Sequence, residues 1–251
     1  MMRFVICSKS TSPLLILIDL LSSKAEGHYS LLHKKTFNSK ALRPINDTVR
    51  LHDNTLVTVP VFSTKHMIIS LLTDPSVMNK KNFAEGYNVL TGEVDNHPAN
   101  NNHGEVHTGD AWLPARDRYC QNKTDMPVGL IVFGDKSHTD LHGALSLTPI
   151  IFTLTLFNHA TRNDLKIWRP ISYIPNLGYG RGTSNKTHTR DKIQDEHSCI
   201  SFAFESLKNI NKENGFQCVV LGRTVHVKVW MHYFYWRYQR KQQMVGSISW
   251  E

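Results

Sequence analysis

Residues 126–175 constrain the chain more tightly than any other stretch. They read MPVGLIVFGDKSHTDLHGALSLTPIIFTLTLFNHATRNDLKIWRPISYIP and hold the longest apolar, β-branched runs of the middle chain, parted by turn residues. The run at 128–133, bounded by Pro127 and Gly134, is short and continuous, the signature of a strand buried on both faces. Residues 150–157 alternate Thr with Ile, Phe and Leu at the period of a strand whose second face is less buried. Residues 168–174 give a third strand, in which Pro170 requires an edge or a bulge because it brings no N–H to a ladder. The connection DKSHTDLHGALS is polar and contains glycine, as a hairpin link with room for a short helical turn would. A β-meander is expected, with the single acid Asp135 where its first strand ends.

With 251 residues the chain can form one large domain or two small ones around a substantial core. Its net charge of +8 is spread along the sequence and favours polyanions, nucleic acid first and an anionic membrane second. Cys7, Cys120, Cys199 and Cys218 form no C-x-x-C pair and read as reduced thiols of an intracellular protein, without a zinc knuckle or disulfide framework. Sequons at Asn46, Asn122 and Asn185 carry meaning only in a secreted chain. Arg3 and Lys9 before the apolar run 13–21 outline a signal peptide, yet Asp19 interrupts the run and no small-x-small motif follows closely. The better reading is a buried amphipathic helix capped by Ser12 with Pro13 at its first position. No segment approaches the roughly 20 apolar residues of a membrane span, so no membrane partner is expected.

Two regions are expected: residues 1–125, mostly helical or irregular, and residues 126–251, an α/β (α+β) core on a mixed sheet. In the first, 56–62 reads as a strand and 66–72 as a helix that stops before Asp74-Pro75. An Asn/His-rich connector covers 95–106, and His97, His103 and His107 there weigh a metal site against a solvated loop, the better reading. In the second, NLGYGRGTSNKTHTR after Pro175 reads as a solvated loop with some capacity for phosphate. Residues 191–211 read as one helix, and 217–221 with 224–236 as a hairpin turning at Gly222-Arg223. His138, Asp140 and His142 form an H-x-D-x-H pattern that would hold a metal only on a strand. The aromatic and basic run 230–240 could stack on single-stranded bases, although a buried strand leading into a basic turn is its commoner meaning. No G-x-S-x-G elbow, P-loop or H-E-x-x-H is present.

The words FGDKSHTDLHGALSLTPIIFTLTLFN and RNDLKIWRPISYIPNL resemble the core of Plavaka-like transposases, relatives of the CACTA group in the DDE superfamily. Asp135-Lys136-Ser137-His138, the Pro-led strand from Pro149, Arg162-Asn163, Trp168-Arg169-Pro170 and Ser172-Tyr173-Ile174-Pro175 fall in the expected order. Upstream, SLLTDPSVM and EVHTGDAW, followed by Ala115-Arg116-Asp117, match as well, so the resemblance spans about residues 59–175. It implies an RNase H-like nuclease core in which three carboxylates hold two divalent ions, Mg²⁺ or Mn²⁺. Those ions would sit about 3.5–4 Å apart and act on both sides of one phosphorus. By resemblance Asp135 is the first metal ligand, with Lys136 and His138 as motif support, and DNA is the partner, in the nucleus if the protein functions.

The second carboxylate belongs at the end of the fourth strand, where residues 225–236 stand, but Trp236 is followed by Arg237-Tyr238-Gln239-Arg240-Lys241. No acid occurs between Glu213 and Glu251, and the place of the third ligand lies beyond Glu251. The family pattern gives Asp140, Asp164, Asp195 and Glu196 no role. A truncated or degenerate copy with incomplete catalysis is therefore expected, and the alternative is a non-catalytic basic DNA-binding remnant. Arg181, Lys186, Arg190, Arg237, Arg240 and Lys241 are the candidate DNA contacts. The sequence carries no signal of oligomeric state.

Overall fold

A computed structural model describes residues 40–94, 105–135, 137–138, 146–177, 186–237 and 243–246. The fold is mixed α+β. Near the start, β1 (Ile45–Arg50) and β2 (Leu56–Val61) form an antiparallel hairpin. Helix α1 (Thr64–Leu72) follows, capped by the Ser63 hydroxyl, which accepts from the His66 N–H. Its buried residues Met67, Ile68, Leu71 and Leu72 recur at helical spacing, which gives the helix one core-facing stripe. Helix α2 (Trp112–Tyr119) precedes the long strand β3 (Asp125–Asp135) and the two-residue β4 (Ser137–His138). Then come β5 (Ser146–Leu154), the single turn α3 (His159–Arg162), β6 (Arg169–Pro175), α4 (Lys186–Ala203) and α5 (Glu205–Lys212). The described chain closes with β7 (Phe216–Val220), β8 (Arg223–Arg237) and β9 (Gln243–Gly246).

All the strands join one sheet in the order β1-β2-β6-β5-β3-β8-β7, with β4 on β5 and β9 on β8. The expected meander is its centre: β3 pairs antiparallel with β5, and β5 with β6. The constraint read from Pro170 is met by a bulge. Ile150 stands opposite Ser172 and Ile151 opposite Pro170, which leaves Ile171 as the extra residue. The Ile171 carbonyl instead accepts from the Phe62 N–H at 2.9 Å, and Val61 opposite Ser172 joins β2 to β6. The part of the chain read as mostly helical or irregular thus adds two strands to the same sheet as the core. Residues 1–39 lie outside the described residues.

Strand β8 lies parallel to β3. Since β5 is antiparallel to both β3 and β6, strands β3, β6 and β8 run the same way, and so does β1. The connection from β6 to the β7–β8 hairpin passes through helices, as a return to a parallel strand requires. It is two helices where the pattern suggests one. At Phe204 the backbone turns (φ −88°, ψ 1°), and its ring, 2% exposed, meets Phe234 of β8 edge to face at 5.9 Å. Phe204, Leu207 and Ile210, on the two sides of the break, are all buried in the core. The β7–β8 turn falls on Leu221 and Gly222, both at positive φ (49° and 77°), the two-residue geometry that matches strand twist. It lies one residue earlier than expected.

The two faces of β3 and β8 differ. On one, the Trp236 indole lies over Gly134, where a Cβ would come within 2.3 Å of Trp236 Cε3, so only glycine admits it. On the other, Trp230 stacks on Tyr119 of α2 (5.2 Å, 1°) and tilts against Trp112 (5.3 Å). No described helix is long and apolar enough to cross a membrane.

Candidate functional site

The site is built on the ends of two parallel strands. β3 finishes at Asp135, which is 8% exposed, and the β8 residue in register with it is Arg237. Neighbouring strands lie about 4.8 Å apart, so these two backbones are adjacent. A second bulge produces this pairing. Leu130 faces Met231 but Ile131 faces Tyr233, so His232 is the extra residue. Gly129 makes space for it, since a Cβ there would lie 3.2 Å from His232 Cβ and 2.8 Å from Thr155 Cγ2. Without the bulge Trp236 would come opposite Asp135; with it, an arginine does.

A two-metal centre needs several anionic oxygens converging on one point. At the strand end where a second carboxylate would stand beside Asp135, the chain has Arg237. No group of three or more His, Cys, Asp or Glu placed to hold a metal exists among the described residues. The described residues therefore do not fit such a centre.

Three other acids, Asp164, Asp191 and Asp195, are engaged elsewhere. Asp195, 1% exposed on α4, accepts the His52 backbone N–H at 2.8 Å through Oδ1, and its Oδ2 lies 2.6 Å from His52 Nδ1. Asp191 Oδ2 stands 3.7 Å from Nε2 of the same ring. The Asp195 hydrogen bond raises the His52 imidazole above its ordinary value, with further help from the charges of Asp191 and Asp53. His52 follows β1, four strands from β3 in the sheet order, or roughly 19 Å at the usual strand spacing. These contacts fasten the first half of α4 beside the β1–β2 turn, at the end of the sheet where β3, β6 and β8 finish. Asp164 accepts the Lys166 N–H at the start of a single 3-10 turn.

Of the other sequence-stated residues, His138 lies in β4 opposite Ser146, whereas Lys136 is outside the described residues. Lys186 opens α4, Arg190 is exposed on it, and Arg237 ends β8. Arg181, Arg240 and Lys241 are outside the described residues, as are Asp140, His142, His97 and His103. His107 is 2% exposed, 4.9 Å from the Tyr87 ring, and belongs to the core.

Several of the motif words turn out to grip each other. Arg162 Nη2 donates to Glu105 Oε2 at 2.8 Å, and Glu105 Oε1 accepts the His159 N–H at 2.7 Å, at the first residue of α3. Arg162 Nη1 also donates to the Phe157 carbonyl, and its own carbonyl accepts from Trp168 Nε1 at 2.8 Å. Arg169, 4% exposed, donates through Nε to Ser70 Oγ at 3.0 Å, and burial pushes its guanidinium down to about 10. These arginines brace the scaffold behind the strands.

Two features escaped sequence reasoning. The His52–Asp195 pairing spans 143 residues and leaves no local signal. The side-by-side placement of Phe133 with Tyr235 beside Asp135 depends on the bulge at His232, which the alternation in KVWMHYFYW does not reveal. No family model, curated protein or solved structure matches the chain.

Proposed function

We propose that the chain is a transposon-derived, DNA-binding protein whose core is RNase H-like and resembles a DDE transposase, with an incomplete nuclease centre. The observation that carries this reading is the register of β3 and β8, in which Asp135 ends one strand and Arg237 ends its parallel neighbour. The strand order β6-β5-β3-β8, with a helical return from β6 toward β8, agrees with the resemblance stated for residues 59–175. An arginine in place of a second carboxylate subtracts a metal ligand and adds a phosphate-binding cation. A net charge of +8 acts in the same direction.

What these residues would do is bind and orient a phosphate backbone. Arg237, and Arg190 with Lys186 on α4, occupy elements that reach the same end of the sheet. Binding of this kind follows counterion release, with log K falling against log salt by about 0.9 per phosphate neutralised on duplex DNA. Titration of a labelled duplex at several salt concentrations tests it. A slope of several units is expected, and a slope near zero excludes the reading.

A further inference from the structure

The sheet ends in two unlike edges, β1 on one side and β7 on the other. β1 carries Asp47 and Arg50, charges of the kind that keep an edge strand from pairing with another chain. Residues 216–221, FQCVVL, which form β7 and the start of its turn, hold no charge, proline or glycine. Val219 is 59% exposed and Leu221 53%, and Gln217 is exposed as well. A short, uncharged, β-prone strand on an open edge is a template for one more strand.

The register shows which backbone groups that edge offers. Val220 faces Arg223 across the two-residue turn at Leu221 and Gly222, so this pair exchanges both its hydrogen bonds within the hairpin. The alternation of an antiparallel ladder then bonds Cys218 to Val225 and Phe216 to Val227, and turns the N–H and C=O of Gln217 and Val219 outward. The His226 N–H agrees: opposite Gln217, it donates to the Thr124 carbonyl at 2.9 Å, on the side away from β7. Beyond β7 no described strand continues the sheet.

We propose that β7 pairs antiparallel with β7 of a second copy, about a two-fold axis at Cys218. In this register Gln217 of each copy faces Val219 of the other, and all the outward groups of both residues are satisfied. A shift of two residues either way would set one of them against Gly215 or Leu221, both at positive φ (101° and 49°) and outside strand geometry. Charge favours a second copy over an unrelated strand. Glu213 precedes β7 and Arg223 follows its turn; both are exposed, and neither enters an ion pair among the described residues. Lys212, next to Glu213, is held by Glu205 at 3.5 Å. Antiparallel pairing brings Glu213 of each copy to the end of the edge where Arg223 of the other stands, twice by symmetry. The net charge of +8 on each copy is spread along the sequence, and at physiological salt its repulsion is screened beyond about 8 Å, whereas ladder contacts are shorter.

This pairing is independent of the DNA-binding reading, and its test contains no DNA. The full chain is followed by sedimentation velocity from low to high micromolar concentration. With a strand of 5 residues on each side the interface is small, so a weak, reversible dimer is expected. Val219→Pro removes an N–H that points outward and spares the β7–β8 ladder. It is expected to weaken the dimer about tenfold or more, with circular dichroism and thermal midpoint near wild type. A second measurement uses wild type. The two Cys218 residues would face each other at a non-hydrogen-bonded position, with Cα atoms about 4.5 Å apart and within disulfide reach. Diamide, which takes one hydrogen from each thiol, is expected to give a dimer on a non-reducing gel that Cys218→Ser abolishes. A chain that stays monomeric at every concentration, a dimer that folded Val219→Pro leaves unchanged, or crosslinks that persist in Cys218→Ser overturn the proposal. Should Val219→Pro fail to fold, the Cys218 crosslink decides.

Discussion

Arg162 reaches Glu105, 57 residues earlier in the chain, with Nη2 2.8 Å from Oε2. The two side chains are 13% and 21% exposed, so water screens the pair less than it would on an open surface. The same carboxylate accepts the first N–H of α3. Glu105→Ala removes both and leaves a guanidinium largely buried, for an expected loss of about 2–3 kcal/mol in urea unfolding. Arg162→Lys is expected to fall short of wild type as well, because an ammonium cannot reproduce the two-direction grip on Glu105 and the Phe157 carbonyl.

Gly134 and Trp236 form a second close pair. A methyl at Gly134 would sit 2.3 Å from the indole, which must then turn away from β3. Gly134→Ala is expected to cost about 1–3 kcal/mol and to change the near-ultraviolet dichroism of the tryptophans. An unchanged spectrum and unchanged stability would contradict this packing.

Two histidines give stability opposite pH dependences. The folded imidazole of His52 is raised, chiefly by its hydrogen bond with Asp195. Its contribution is therefore full below the ordinary histidine value of about 6.5 and is lost as pH rises through the raised value. Asp53, Asp191 and Asp195 face it, and His52→Gln is expected to flatten the thermal midpoint above about pH 6.5. A midpoint curve identical to wild type would contradict the clamp.

His232 behaves in the other sense. Burial pushes its imidazole down to about 4, so the unfolded chain binds the proton more readily between that value and about 6.5. Stability should fall as pH drops through this window, by on the order of 3 kcal/mol in all. His232→Phe, apolar and near in size, is expected to reduce that acid-side slope, as measured by urea midpoints across the window.

The meander was legible because each of its strands carries its own signal: a continuous apolar run at 128–133, alternation from Ile150, and Pro170 demanding an irregularity. Asp135 at the end of the first strand followed from the same run. Contacts between distant parts were not legible. Nothing near Leu56 says that β2 will meet β6, and nothing near Asp195 names His52, since both depend on tertiary packing. The break at Phe204 has neither glycine nor proline to announce it, and the apolar spacing continues through it as in one helix. The bulge at His232 matters most for the site, because it decides which residue stands opposite Asp135.

One assay addresses the central claim directly. Supercoiled plasmid is incubated with the wild-type chain and Mn²⁺ or Mg²⁺, and half of each sample is deproteinised before electrophoresis. The expected result is a retarded complex in the untreated half and intact supercoiled DNA in the other, with Asp135→Ala indistinguishable in cleavage from wild type. Metal-dependent conversion to nicked circles by wild type, abolished in Asp135→Ala, would contradict an incomplete centre beside Arg237.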